Sequence, residues 1–150
     1  MNVVQLLTPK SAVAYLNEKM TLRQALEKME NHRYTCVPVL NAEGGYAGTI
    51  TEGDLLWAIK NKYNLNLKNA EQIPLADIAR KRDYQPVNNN AHLNELVVMA
   101  MTQNFVPMVD DREAFIGIVT RKDILQYCYS NFINKEGTEE VHTSQKITAR

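Results

Sequence analysis

The chain has 150 residues, 17 Lys plus Arg against 17 Asp plus Glu, and 45% hydrophobic against 23% charged residues. That composition excludes a largely disordered chain and suffices for one compact domain or two small fused units. A net charge of zero excludes a global field for nucleic acid or an anionic membrane, so any anion site must be local.

No stretch reaches the roughly 20 apolar residues of a membrane span. The N-terminus MNVVQLLTPK lacks the basic and apolar runs of a leader, so a cytoplasmic location is expected. Along the chain, Leu22, Ala25, Leu26 and Met29 form an i, i+3, i+4, i+7 stripe opened by Thr21, which predicts a capped helix. Cys36 to Leu40 is short, apolar and β-branched and predicts a strand, with Pro38 suited to an edge or bulge. Asn41-Ala42-Glu43-Gly44-Gly45 predicts a turn into a second strand, Tyr46 to Thr51. Thr51 then caps a helix that buries Leu55, Leu56 and Ile59.

Residues 61–72 are polar and Asn-rich and predict a linker. Ile73-Pro74-Leu75-Ala76-Asp77-Ile78 is expected to open a second copy. There Asn90 precedes the helical stripe Leu93, Leu96, Val97, Ala100; strands are predicted at Phe105 to Val109 and Phe115 to Thr120 around the turn Asp110-Asp111-Arg112-Glu113. Thr120 caps a helix with Ile124, Leu125 and Cys128 on its buried face. Residues 131–150 are polar and predict an unordered tail.

The two copies are one unit repeated. Val37-Pro38-Val39-Leu40 returns as Val106-Pro107-Met108-Val109, and Gly48, Thr51, Asp54 return as Gly117, Thr120, Asp123, all 69 positions apart (106 − 37, 117 − 48, 123 − 54). The helical stripes upstream match at a shift of 71 (93 − 22), so the second copy has a shorter helix-to-strand connection. The prediction is a mixed α/β (α+β) fold of two βαββα repeats, 3–60 and 73–130, related by a pseudo-twofold axis. Each alone is too small for a comfortable core, so they should pack together.

Gly48-Thr49-Ile50-Thr51-Glu52-Gly53-Asp54 and Gly117-Ile118-Val119-Thr120-Arg121-Lys122-Asp123 each set a hydroxyl at a helix cap and a carboxylate in the first turn. Free amides and the positive helix end attract a phosphate, and the aspartate can accept from both hydroxyls of a ribose. A plain helix cap explains one such copy equally well.

With these motifs in view the chain resembles the paired CBS domains, or Bateman modules, over about residues 3 to 130. The resemblance rests on the duplicated hydrophobic-Pro strand and the duplicated G-h-x-T-x-x-D segment. It is nearest to small stand-alone bacterial CBS pairs, some of which bind cyclic di-AMP. In that family adenosine ligands lie in two clefts between the repeats, which assigns ribose to Asp54 and Asp123 and phosphate to Thr51 and Thr120. The resemblance completes the Asp123 cleft with Lys10, Ala12, Val13, Ala14, Tyr34, Thr35 and Val37. It completes a second, weaker cleft at Asp54 with Val87, Asn88, Asn104 and Val106. Arg121 and Lys122 suit a phosphate and Glu52 opposes one, so the charged nucleotide is expected at Asp123. The other reading of these three charges is a solvated surface. Known cyclic di-AMP binders have a more basic second motif without the Asp, so the retained Asp123 keeps AMP, ADP and ATP beside the cyclic dinucleotide.

His32-Arg33-Tyr34 reads either as a phosphate or base contact or as a solvated connection. His92 and His142 lack partners at metal or triad spacing, and Cys36 and Cys128 read as small core residues. Trp57 reads as a subunit-interface residue. No GxSxG, HExxH or P-loop is present, so no enzyme activity, metal or obligatory cofactor is expected. The expected function is a regulatory module, a homodimer, that binds an adenine nucleotide and relays this to a protein partner. The rival is an interaction protein that dimerises or docks on an enzyme without binding nucleotide.

Overall fold

The structure is a computed structural model that describes residues 1–64 and 66–148, with side chains described as far as residue 136. Its strands are β1 (Thr8–Pro9), β2 (Leu16–Asn17), β3 (Cys36–Leu40), β4 (Tyr46–Thr51), β5 (Val87–Asn88), β6 (Phe105–Val109) and β7 (Phe115–Thr120). Its helices are α1 (Leu22–His32), α2 (Glu52–Asn61), α3 (Leu93–Ala100) and α4 (Arg121–Thr148). One sheet has the order β2-β3-β4 and the other β1-β7-β6-β5.

The repeat is exact in its ladders. Cys36 faces Thr51 as Phe105 faces Thr120, and both hairpins carry a register shift at the same step, Val39/Leu40 and Met108/Val109. In each, the first short strand runs parallel to the hairpin: Leu16 beside Val39, Val87 beside Met108. This is the predicted βαββα unit, twice. Helix starts follow local capping: Gln24 N–H donates to Thr21 Oγ1 at 3.3 Å and the Gln24 side chain accepts from Thr21 N–H at 3.0 Å. In the second copy the cap is His92, whose N–H donates to Glu95 at 2.9 Å. Asn90 instead lies in a turn, its N–H held by Asn88 Oδ1.

Two cores result, and each borrows from the other repeat's leading segment. Ala70, Ile73, Leu75 and Ile78 pack with Leu16, Leu22 and Ile50 in the first core. Val3 packs with Leu96, Val106 and Met108 in the second. The segment Ile73 to Ile78, expected to open the second copy, is therefore core material of the first: Leu22 N–H donates to Ile73 O at 2.8 Å and Leu75 N–H to Met20 O at 2.7 Å. Likewise β1 joins the edge of the second sheet through β7. These exchanges bury apolar residues that the linker and terminus would otherwise expose, at about 1.5–3 kcal/mol per large side chain.

The crossing explains both motif glycines. A Cβ on Gly117 would overlap the Thr8 carbonyl, and one on Gly48 would overlap the Asp83 carboxylate. The hairpin tips also touch, with Phe115 N–H donating to Gly44 O at 3.0 Å.

One expectation is corrected. The segment 131–150, read as an unordered tail, continues α4 as far as Thr148; residues 149 and 150 lie outside the described residues. No proline interrupts it, and Lys135, Glu136, Glu139 and Glu140 are good helix formers that outweigh the single Gly137.

Candidate functional site

β4 and β7 deliver Thr51 and Thr120 to the N-termini of α2 and α4. Asp54 N–H donates to Thr51 Oγ1 at 3.0 Å, and Asp123 N–H to Thr120 Oγ1 at 3.1 Å. Beyond this shared cap the carboxylates differ. Asp54 is buried at 8% exposure; its Oδ2 accepts from Thr51 N–H at 2.9 Å and its Oδ1 from Lys81 N–H at 3.1 Å. Asp123 is half-buried; its Oδ2 accepts from Thr120 Oγ1 at 2.7 Å, and its Oδ1 has no partner among the described residues.

Each aspartate opens onto a groove between its helix and the crossing segment. The Asp54 groove, about 390 Å³, is lined by Trp57, Lys62, Asp77, Arg80 and Lys81. The Asp123 groove, also about 390 Å³, is lined by Gln5, Leu6, Thr8, Tyr127 and Ser130.

Of the residues expected around Asp123, Lys10 and Ala12 lie in a turn packed along β7, the strand that ends at Thr120. Ala14, Tyr34 and Val37 meet in a narrow crevice of the first repeat, and Val13 N–H closes the preceding turn on Lys10 O at 3.2 Å. Thr35 is exposed, its carbonyl accepting from Glu52 N–H at 2.9 Å. Lys10 Nζ stands 5.4 Å from the Tyr15 ring centroid. The two expected phosphate cations do not converge. Arg121 Nε donates to Ala100 O at 2.7 Å, capping the end of α3, and Lys122 is exposed.

Lys62, Arg80 and Lys81 all line the Asp54 groove, whereas Glu52, expected to oppose a phosphate there, lines a different hollow beside Tyr34 and Leu55. Arg80 is paired with Asp83 through contacts of 2.6 and 3.2 Å, which raise its affinity for its proton. The run Arg80-Lys81-Arg82 was visible in the sequence, but its approach to Asp54 follows from the crossing, which spacing does not reveal. Val87 and Val106 are buried in the second core. Asn88 donates to Asp111, and Asn104 Nδ2 donates across the repeats to Cys36 Sγ at 3.4 Å.

Tyr84 binds this seam. Its hydroxyl accepts from Asn104 N–H at 3.2 Å and lies 3.9 Å from Cys36 Sγ, and its carbonyl accepts from Tyr46 at 2.8 Å. Burial raises the pKa of both Tyr46 and Tyr84. His32 and Tyr34 stack at 5.2 Å, and Trp57 is exposed with Lys60 Nζ 5.6 Å from its centroid. The His142 side chain lies outside the described residues. Among the described residues there is no cluster of metal-ligating side chains, and no helix is long and apolar enough to cross a membrane.

The sequence pattern of the CBS domain matches residues 4–61 and again 75–130. The chain belongs to the CBS-domain family. As a CBS pair it is similar to CbpB, solved in complex with c-di-AMP: 26% identity, a TM-score of 0.78, and 93% of this chain and 91% of that one covered. It is also similar to CbpB from Streptococcus agalactiae, at 26% identity and a TM-score of 0.74, covering 87% and 81% of the two chains. An uncharacterized protein of Methanocaldococcus jannaschii is 26% identical over 140 residues, 86% of this chain and 50% of that protein. The chain spans no more than half the length of the curated relatives it matches.

Proposed function

We propose that this CBS pair is a non-catalytic regulatory module that binds an adenine nucleotide, AMP, ADP, ATP or cyclic di-AMP, between its repeats on the Asp123 side. The observation that carries the reading is the Thr120–Asp123 cap with its uncommitted carboxylate oxygen. That oxygen accepts a ribose hydroxyl while the neighbouring helix start favours phosphate. The reading takes Lys10, Ala12, Val13, Ala14, Tyr34, Thr35 and Val37 as its facing wall, beyond the Gln5, Leu6 and Thr8 that line the groove beside Asp123. The likeness to a CbpB bound to c-di-AMP supports the ligand class. A ligand touching both repeats favours one relative angle of the pair, and the difference in affinity for the two angles sets how strongly a protein partner is informed.

Calorimetric titration with AMP, ADP, ATP and cyclic di-AMP tests this. Saturable binding weakened at least about tenfold by Asp123→Ala, or 1.4 kcal/mol, is the expected result. Absence of binding by all four up to millimolar concentration would overturn it.

A second reading, docking or dimerisation without nucleotide, is favoured by the apolar residues Leu125, Tyr129, Phe132 and Ile133, each at least 46% exposed on α4. A sedimentation profile that shifts from dimer to monomer in Phe132→Ala, with no nucleotide bound by the parent chain, would establish it.

A further inference from the structure

α2 and α4 start at equivalent positions, Glu52 and Arg121 (121 − 52 = 69), but end differently. α2 stops at Asn61, whose counterpart is Ser130 (61 + 69 = 130), and there the second match to the CBS pattern also stops. α4 runs on for 18 residues to Thr148 (148 − 130), about 27 Å at 1.5 Å per residue. This arm lies outside the family pattern, and the repeat does not account for it. The helix face that leads into it is apolar. Leu125, Tyr129, Phe132 and Ile133 share one side of α4 and are 59, 67, 58 and 46% exposed. The main contacts of α4 are with α3 and β7, and Cys128 is its last side chain packed against the second core.

The first repeat has the opposite feature. Between α1 and α2 lies a groove of about 380 Å³, with Leu26, Met29, Leu55 and Ile59 along it and Leu56 at 52% exposure. At the equivalent place in the second repeat Arg121, the counterpart of Glu52, spans to the Ala100 carbonyl at 2.7 Å. Glu30 and Glu52 on the groove and Lys135 on the arm are exposed, and none has an ion-pair partner among the described residues. Arg33 on the groove and Glu136 on the arm, both exposed, repeat the match with the signs reversed.

We infer that the groove between α1 and α2 seats the α4 arm of a second copy, and that two chains exchange these arms reciprocally. One chain carries both an uncovered apolar groove and an uncovered apolar stripe, with opposite charges beside them. α4 is a single uninterrupted helix, which does not bend back on its own first repeat. In a closed twofold pair each arm-to-groove contact is made twice. The exposed parts of the four stripe side chains come to on the order of 400 Å² per arm. With the groove face and the second contact, the pair buries on the order of 1,600 Å², the size of a stable interface. The exchange goes beyond the nucleotide reading and stands without it.

Sedimentation equilibrium of the full chain tests the exchange, with Leu56→Asp for the groove, Phe132→Asp for the arm, and a 1:1 mixture of the two. Both residues are exposed, so both variants keep the fold, which circular dichroism checks. The parent chain is expected to dimerise at micromolar concentration, and each substitution to weaken dimerisation at least about thirtyfold, because it strikes both contacts. The mixture associates at least about tenfold more tightly than either variant alone, since the arm of the groove variant still enters the groove of the arm variant. A parent chain that stays monomeric at millimolar concentration overturns the exchange. So does a dimer that survives Leu56→Asp and breaks in Phe132→Asp, the sign of arms pairing with each other. A mixture that associates no better than its components overturns it as well.

Discussion

The Asp54 and Asp123 halves of the cleft have the same ladder register, the same threonine cap and grooves of the same volume. They differ in what the chain leaves available: both Asp54 oxygens are bonded within the protein, and one Asp123 oxygen has no partner among the described residues. Duplication preserves a backbone more strictly than a site. The bonding of two carboxylates separates halves that the motifs alone make equivalent.

The comparison predicts unequal and equal responses to paired substitutions. The largest effects are equal. Leu22→Ala and Leu96→Ala each remove a side chain with 0% exposure and are expected to cost about 2–5 kcal/mol. Each lowers one shared transition in chemical denaturation; two separate transitions would show that the repeats fold independently. The glycine pair is unequal. Gly117→Ala meets a backbone carbonyl held in a β ladder and is expected to cost about 3 kcal/mol, whereas Gly48→Ala meets the ends of Asp83 and Arg80 and costs about 1. Equal losses in thermal melts would show that the β1 edge yields as easily as a side chain.

Tyr84→Phe, which removes the acceptor of Asn104 N–H, is expected to cost about 1 kcal/mol. Alkaline titration follows the same seam. Burial raises the pKa of Tyr46 and Tyr84 in the folded chain, so the folded state holds these protons more tightly. Their contribution is whole below about pH 10, the unfolded value, and is lost as pH rises above it. A denaturation midpoint that stays level from pH 9 to 11 would contradict this. Smallest is Lys122→Ala: the side chain is exposed, so stability should move by less than about 0.5 kcal/mol.

The hairpins, the caps at Thr21, Thr51 and Thr120, and the repeat were legible because they are local: β-branched runs, turn residues and hydroxyl caps act over a few positions. What spacing could not show was exchange. Ile73, Leu75 and Val3 carry an ordinary apolar signal that says they are buried but not in which core. Arg121 looked like a phosphate ligand because it neighbours Thr120, yet its long side chain reaches the end of α3 instead. Lys81 reaches Asp54 through its backbone N–H, a contact to which side-chain identity gives no clue. Tyr84 passed unremarked because a polar residue before a strand reads as a connection until its partners are known.

The exchanged leading segments bear on ancestry. A lone repeat would present a hollow where the other's lead-in belongs, and its own lead-in would have nowhere to go. Two identical copies could satisfy each other by trading these segments reciprocally. A single unit of this kind would need a second copy to trade with, and joining two copies through the stretch between α2 and Ala70 makes that partner permanent. Once joined, the halves could diverge in side chains without surrendering the trade. A chain cut in that connection would still consist of two pieces that need each other.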